Sequence, residues 1–209
     1  MKQIMLLVLF MVVNSAQAQT NCYNVLFIAV DDLRPELGCY GVEYAQTPNM
    51  DNLASTGMLF NKHYVQVATC HSSRLSMLTG RSPGAGRRKP QEGARFMPEL
   101  FRRSGYHTTC IGKISHSPDG RKFQYNGNGD GEMELPKAWD SLPTPFGPWK
   151  RGWGAFFAYA DGKHREDGEG HKDLMQFTAE QDSDLPDGMM ADTAVETLRN
   201  YKDTGERFF

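Results

Sequence analysis

An unbroken apolar run, Asn24-Val25-Leu26-Phe27-Ile28-Ala29-Val30, stops abruptly at Asp31-Asp32. No polar residue interrupts it at every second position, so it predicts a parallel strand buried on both faces. Such strands belong to α/β folds with helices over both sides of the sheet. Open α/β sheets bind ligands in the crevice outside the carboxyl ends of their strands, and the two acids fall at that end. Adjacent carboxylates repel unless something positive joins them. Asp31 and Asp32 are therefore candidates for a hard divalent cation, Ca²⁺ or Mg²⁺, which takes oxygen ligands. Spacing alone leaves a solvated loop start as an equal alternative.

A second constraint is the stretch Cys70-His71-Ser72-Ser73-Arg74-Leu75-Ser76-Met77-Leu78-Thr79-Gly80. Leu75 and Leu78 at helical spacing, with a stopping glycine, predict a tight turn entering a short helix, with Cys70 just ahead of its N-terminus. Unpaired N–H groups and the helix dipole favour negative charge there. Arg74, four residues on, suits an anion such as sulfate or phosphate. On these residues a buried thiol beside an N-capping serine competes with that reading. A cysteine phosphatase loop would need its arginine where Ser76 stands. Structural zinc would need paired Cys/His sets, which Cys70 and His71 do not make.

The remaining chain supplies elements around these stations. Thr47 as N-cap, Pro48 at the first helical position and Gly57 past the end predict a helix turning Met50, Leu53 and Ala54 inward. Residues 59–67 read as extended. Residues 97–104 read as a helix with Leu100 and Phe101 inward and Gly105 as C-cap. Residues 106–111 alternate and are rich in β-formers, a strand. At its carboxyl end stand Gly112-Lys113-Ile114-Ser115-His116, where Lys113 and His116 are candidates to converge on the same anion as Arg74. Surface or core duty is the commoner fate of an isolated Lys or His. Arg81, Arg87, Arg88, Lys89 and Arg95 make a basic region read as a solvated loop, with attraction of a polyanionic substrate as the functional alternative.

Residues 117–187 lack periodicity and read as long loops over the substrate side. In them residues 126–131 are glycine turns rather than calcium loops, and Trp139, Trp149 and Trp153 pack loops rather than stack sugars. His164 and His171 read as solvated. A helix follows from Asp187 to about Tyr201, burying Met190, Ala194 and Leu198. Arg207-Phe208-Phe209 begin a further strand, and a strand so cut is not a natural domain boundary. The chain reads as the N-terminal part of a longer protein.

At the other end, Lys2, an apolar core over residues 4–13 and Ala16-Gln17-Ala18 predict a signal peptide (residues 1–18) cut after Ala18, too short to span a bilayer. That implies a secreted or periplasmic protein. A net charge of −2 gives no global bias towards nucleic acid or a membrane surface. Four cysteines are too few for a disulfide-stapled scaffold, and with Cys70 catalytic the others (Cys22, Cys39, Cys110) are odd in number.

Taken in order, Asp31-Asp32, residues 70–80, Lys113 and His116 resemble the stations of the type I sulfatases, formylglycine-dependent members of the alkaline-phosphatase-like superfamily. Cys70-x-x-Ser73-Arg74 followed by Leu78-Thr79-Gly80 is similar to their signature, with Ser72 where proline or alanine is usual. Residues 47–54, Gly112-Lys113-x-x-His116 and the Pro186-Asp187-Gly188 opening look most like the iduronate-2-sulfatase branch. The resemblance implies an α/β fold, a mostly parallel sheet flanked by helices, incomplete at the C-terminus, with residues 19–209 the N-terminal part of a sulfatase catalytic domain. It implies hydrolysis of a sulfate ester on a sulfated sugar such as a glycosaminoglycan. Cys70, converted by the formylglycine-generating enzyme, would supply the attacking oxygen of an aldehyde hydrate. Asp31, Asp32 and residue 70 would hold one cation, Ca²⁺, and Arg74, Lys113 and His116 would neutralise charge on the sulfate and leaving group. Family members complete the metal site with later residues that have no match here, so the chain alone is expected to be inactive and poorly stable. The rival readings are a phosphate or phosphonate monoester hydrolase of the same superfamily and a non-catalytic sulfated-glycan-binding relative.

Overall fold

A computed structural model describes residues 23–83, 93–124, 128–149, 151–158 and 178–209. The expected signal peptide, Cys22, Arg87, Arg88, Lys89, Asn126, Gly127, His164 and His171 lie outside the described residues. Among the described residues five α-helices follow one another: α1 (Pro48–Thr56), α2 (Cys70–Thr79), α3 (Met97–Arg103), α4 (Trp153–Phe157) and α5 (Pro186–Thr204). None among the described residues is long and apolar enough to cross a membrane.

Between them a short ladder assembles from segments far apart in sequence. His107 pairs in parallel with Phe208 on one side, and Thr109 pairs in parallel with Ser141 on the other. The Val25 N–H donates to the Phe208 carbonyl at 3.0 Å, which brings the first apolar run alongside. Parallel pairing beside helices agrees with the α/β expectation, but the pairing is reduced to isolated bridges. Residues 140–142 are stopped by Pro143, which has no N–H to donate, and only residues 207–209 lie between the first run and residues 107–109.

The core sits against this ladder. Cys110, Ala138, Trp139 and Phe209 are buried together, and Val25, Phe27, Met97, Phe101, Tyr106, Ile114, Leu135 and Leu142 pack around them. Phe101 stacks on Phe209 at 4.3 Å between ring centroids. Trp139, Trp149 and Trp153 are all buried, as the packing expectation held.

Three expectations are corrected. Residues 24–30 are not buried on both faces: Val25 and Phe27 meet the core, while Leu26, Ile28 and Val30 are exposed. Only alternate residues of the run find core neighbours. In α1, Met50 and Leu53 point to solvent, and Leu53 is 67% exposed. This helix docks through polar contacts instead. The Asp51 Oδ1 accepts from the Cys39 N–H at 2.7 Å and from the Thr47 hydroxyl at 3.0 Å, which ties α1 to the 3-10 turn Gly38–Tyr40. Residues 59–67 form bends rather than a strand. Smaller differences follow: Leu100 is exposed beside the core residue Phe101, Ser104 rather than Gly105 caps α3, and α4 emerges from a region read as loops.

Candidate functional site

Cys70 is the first residue of α2 rather than the residue before it, and Thr69, in extended conformation, is the N-cap with no side-chain capping bond. Leu75 and Leu78 fix the helix to the interior, and Gly80 ends it in the left-handed region at φ 66°, where a Cβ would be strained. Burying that face also buries Arg74, one turn after Cys70 and 6% exposed. A guanidinium so placed needs acceptors, and it has them. It donates from Nη2 to the Asp31 Oδ1 at 2.8 Å and from Nη1 to the main-chain carbonyls of Lys113 and Ile114.

Lys113 reaches the same carboxylate from the opposite side, its Nζ donating to the Asp31 Oδ2 at 2.8 Å. Its stem is covered by α4, with the ammonium 4.3 Å from the Phe156 ring centroid and 5.5 Å from that of Trp153. Those distances are within cation–π range. Gly112 makes the turn into Lys113 at φ 74°, and a Cβ there would lie 2.6 Å from the Met190 Sδ of α5. Burial alone would raise the Asp31 carboxyl, but the hydrogen bonds and charges of Lys113 and Arg74 outweigh it and hold the group below the usual carboxylate range. Asp32 follows with φ 51°, a left-handed conformation that Asp tolerates better than most residues.

His116 lies on the far side of the Lys113 loop. Its ring is 4.6 Å, edge-on, from that of His71 in the first turn of α2, and 5.4 Å from Trp153. Burial, then the neighbouring His71, push its pKa down, which favours the neutral imidazole at pH 7. Its Nδ1 is buried and makes no hydrogen bond among the described residues.

Asp31, Arg74 and Lys113 are thus joined directly, and α2 carries Cys70 to Arg74 and His71 to His116. Asp31, Asp32, Arg74 and Lys113 line a cavity of about 780 Å³ that runs between α5 and residues 25–30, and neither Cys70 nor His116 lines it. Among the described residues no group of three or more His, Cys, Asp and Glu gathers to hold a metal ion. The donor chemistry of Asp31 and Asp32 nevertheless fits a hard divalent cation. Both are carboxylates at one turn, and each Asp31 oxygen keeps a lone pair beyond the hydrogen bond it accepts.

Residues 23–208 match the family model described as Sulfatase. The chain belongs to the sulfatase family. It is 33% identical over 207 residues to human (Homo sapiens) iduronate 2-sulfatase, a match covering 93% of this chain and 35% of that protein. It is 32% identical over 136 residues to a sulfatase of Formosa agariphila, covering 53% of this chain and 27% of the relative. An arylsulfatase of Clostridium perfringens matches at 39% over 85 residues, 38% of this chain and 18% of the relative. The chain therefore spans about a third or less of the length of these relatives. The breadth of the human match supports a sulfatase of iduronate-2-sulfatase type, and the family implies formylglycine and a divalent cation.

Of the expected site residues Asp31, Asp32, Cys70, Arg74, Lys113 and His116, hydrogen bonds join Asp31, Arg74 and Lys113 directly, and further residues surround them. His71, one residue after Cys70, stands on the first turn of α2 and meets the His116 ring. Trp153 and Phe156 carried a signal in the apolar cluster of residues 153–157. Glu134, whose carboxylate accepts from the Ser115 hydroxyl and the Ser117 N–H, carries no such signal, standing in aperiodic sequence.

Proposed function

We propose that this chain is the N-terminal part of the catalytic domain of a secreted or periplasmic sulfuric ester hydrolase acting on a sulfated sugar, of iduronate-2-sulfatase type. The observation that carries it is the convergence of Arg74 and Lys113 on Asp31, in a sulfatase-family chain whose α2 opens with Cys70. A sulfate ester brings negative charge that must be met by preorganised donors. Lys113, shared between Asp31 and the α4 aromatics, is one, and His116 on the same loop is a second group to neutralise charge on the leaving oxygen. Arg74, expected to neutralise charge on the sulfate, has a positioning part in this reading as well. Buried and hydrogen-bonded to Asp31 and to two loop carbonyls, it orients the groups that would do so.

Residue 70, as formylglycine made by the formylglycine-generating enzyme, would present its nucleophilic oxygen at the first turn of α2, where free N–H groups favour an anion. Asp31, Asp32 and residue 70 would hold a divalent cation, Ca²⁺ in this reading, which when bound lowers the pKa of an oxygen nucleophile and polarises sulfate.

The test is hydrolysis of paired sulfate and phosphate esters of one alcohol, with Cys70→Ala as control. In the full-length protein the reading expects turnover of the sulfate ester that Cys70→Ala abolishes, and a residue-70 peptide whose mass shows aldehyde in place of thiol, whereas residues 1–209 alone are expected to be inactive. Preference for the phosphate ester would transfer the chain to a phosphomonoesterase role. Binding of sulfated glycans with an intact thiol and no turnover would make it a binding protein.

A further inference from the structure

Between Gly112 and Ser117 the chain carries both Lys113 and His116, and the two are held in different ways. Lys113 is fixed by its own side chain, through Asp31 and the α4 aromatics. The His116 ring has aromatic neighbours but no hydrogen bond at Nδ1. Where that imidazole sits is therefore decided by the backbone on either side of it. On both sides the backbone runs to one atom: the Glu134 Oε2 accepts from the Ser115 hydroxyl at 2.6 Å and from the Ser117 N–H at 2.7 Å.

We propose that Glu134 is a positioning residue of the site, its carboxylate fixing the loop that presents His116 by gripping Ser115 and Ser117. Ser115 is completely buried, and a buried hydroxyl without a partner is costly. One oxygen has lone pairs enough to accept both donors and so holds them to one point. The anchor is itself rigid. Arg121 and Met133 form an antiparallel bridge next to it, and the Glu134 N–H donates to the Gly120 carbonyl at 2.9 Å. Arg74 holds the same loop from its other end, at the carbonyls of Lys113 and Ile114. The loop is clamped between a buried guanidinium at its start and a half-buried carboxylate at its end. The consequence for sulfate chemistry rests on the sulfate-ester reading above, whereas the positioning does not.

The test uses the isotopically labelled chain with inorganic sulfate as probe. Three readouts are taken by NMR: amide exchange at Ser117, the ring signals of His116, and the sulfate-induced shifts of Lys113 and His116. Glu134→Ala is expected to speed Ser117 exchange about tenfold or more, to displace or broaden the His116 ring signals, and to weaken the sulfate response about tenfold. Glu134→Gln keeps an oxygen in reach of both donors while removing the charge, and is expected to stay within about threefold of the parent. Unchanged exchange and ring signals in Glu134→Ala would overturn the proposal. So would a Glu134→Gln variant as impaired as Glu134→Ala, since charge rather than hydrogen bonding would then be at work. If Glu134→Ala does not fold, Ser115→Ala, which deletes one donor and leaves the carboxylate, takes its place, and unperturbed His116 signals there would reject the idea. A parent chain with no sulfate response at Lys113 and His116 would defeat the sulfate-ester reading, while the exchange and ring signals would still decide the role of Glu134.

Discussion

The two halves of the candidate site rest on unlike foundations. The loop after the central bridge is dense: Gly112, Ser115, Pro118, Asp119 and Gly120 are all buried, and its polar atoms are answered by Arg74, Glu134 and Thr144. The arm between Asp32 and Cys70 is open. There α1 buries no residue, and Met58, Phe60, Tyr64 and Val65 are exposed. One half is positioned by packing and buried hydrogen bonds, the other by a few polar ties, such as Asp51 to Cys39. What joins them is a small set of side chains centred on Arg74, which donates to Asp31 and to the main chain of the dense loop, while Lys113 of that loop donates to the other Asp31 oxygen. Precision at such a site depends less on the number of contacts than on which side chain spans the junction.

Removing that junction is expected to have the largest effect. Arg74→Ala would leave Asp31 with Lys113 alone and strip two carbonyls of their donor, and breaking a buried ion pair from one side costs about 3–5 kcal/mol. A fall of that size in urea-derived stability is expected, and Arg74→Lys would recover little of it because an ammonium cannot serve three acceptors in a fixed plane. A loss below about 1 kcal/mol would show that the halves are joined elsewhere. Next in size is Leu78→Ala on α2, where the side chain is 1% exposed. Deleting it is expected to cost about 2–5 kcal/mol through lost burial and the cavity left behind.

Much of this was legible from residues, and the limit has a physical cause. The α2 stretch announced itself through Leu75, Leu78 and Gly80, because local helical spacing and a left-handed stop are written within ten residues. Asp31-Asp32 and Lys113 stood out because both follow segments with strand character. Partnership was not legible. The bonds from Arg74 to Asp31 and from Lys113 to Asp31 join residues more than forty positions apart, and nothing in periodicity selects one acid over its neighbour. The apolar run at 24–30 misled in another way. Its composition promised two buried faces, but burial is a property of neighbours, and only Val25 and Phe27 meet the core. Likewise Met50 and Leu53 have the spacing of an inward face, while the hydrogen bonds of Asp51 and Thr47 settled how α1 docks.

Acid pH offers a gentler perturbation of the dense half. Asp140 accepts from the Arg102 Nε at 2.6 Å and from the N–H and hydroxyl of Thr108 at 3.0 Å each. Burial would raise its pKa, but the Thr108 N–H and Arg102 lower it below the usual value. A carboxyl whose folded pKa is depressed stabilises the fold above its unfolded value of about 3.9 and loses that contribution as pH falls through the folded value. The stability difference between the parent and Asp140→Asn is therefore expected to be greatest near neutrality and to close below about pH 4. A difference independent of pH would mean that the carboxylate's charge contributes nothing to holding residues 108 and 140 together.

The smallest expected effect tests the open half. Leu53 is a large apolar residue in a helix, and by type alone its truncation should resemble that of Leu78. Its side chain, however, is two-thirds exposed and already hydrated in the folded chain, so unfolding brings little further apolar surface into water. Alanine is also the better helix former, which offsets part of whatever contact is lost. Leu53→Ala is therefore expected to change stability by less than about 0.5 kcal/mol, the range of surface substitutions away from special features. Measured beside Leu78→Ala in the same denaturant series, it separates burial from residue type. A cost above about 1 kcal/mol would mean that α1 is covered in solution, and dependence of that cost on protein concentration would identify the cover as a second copy of the chain.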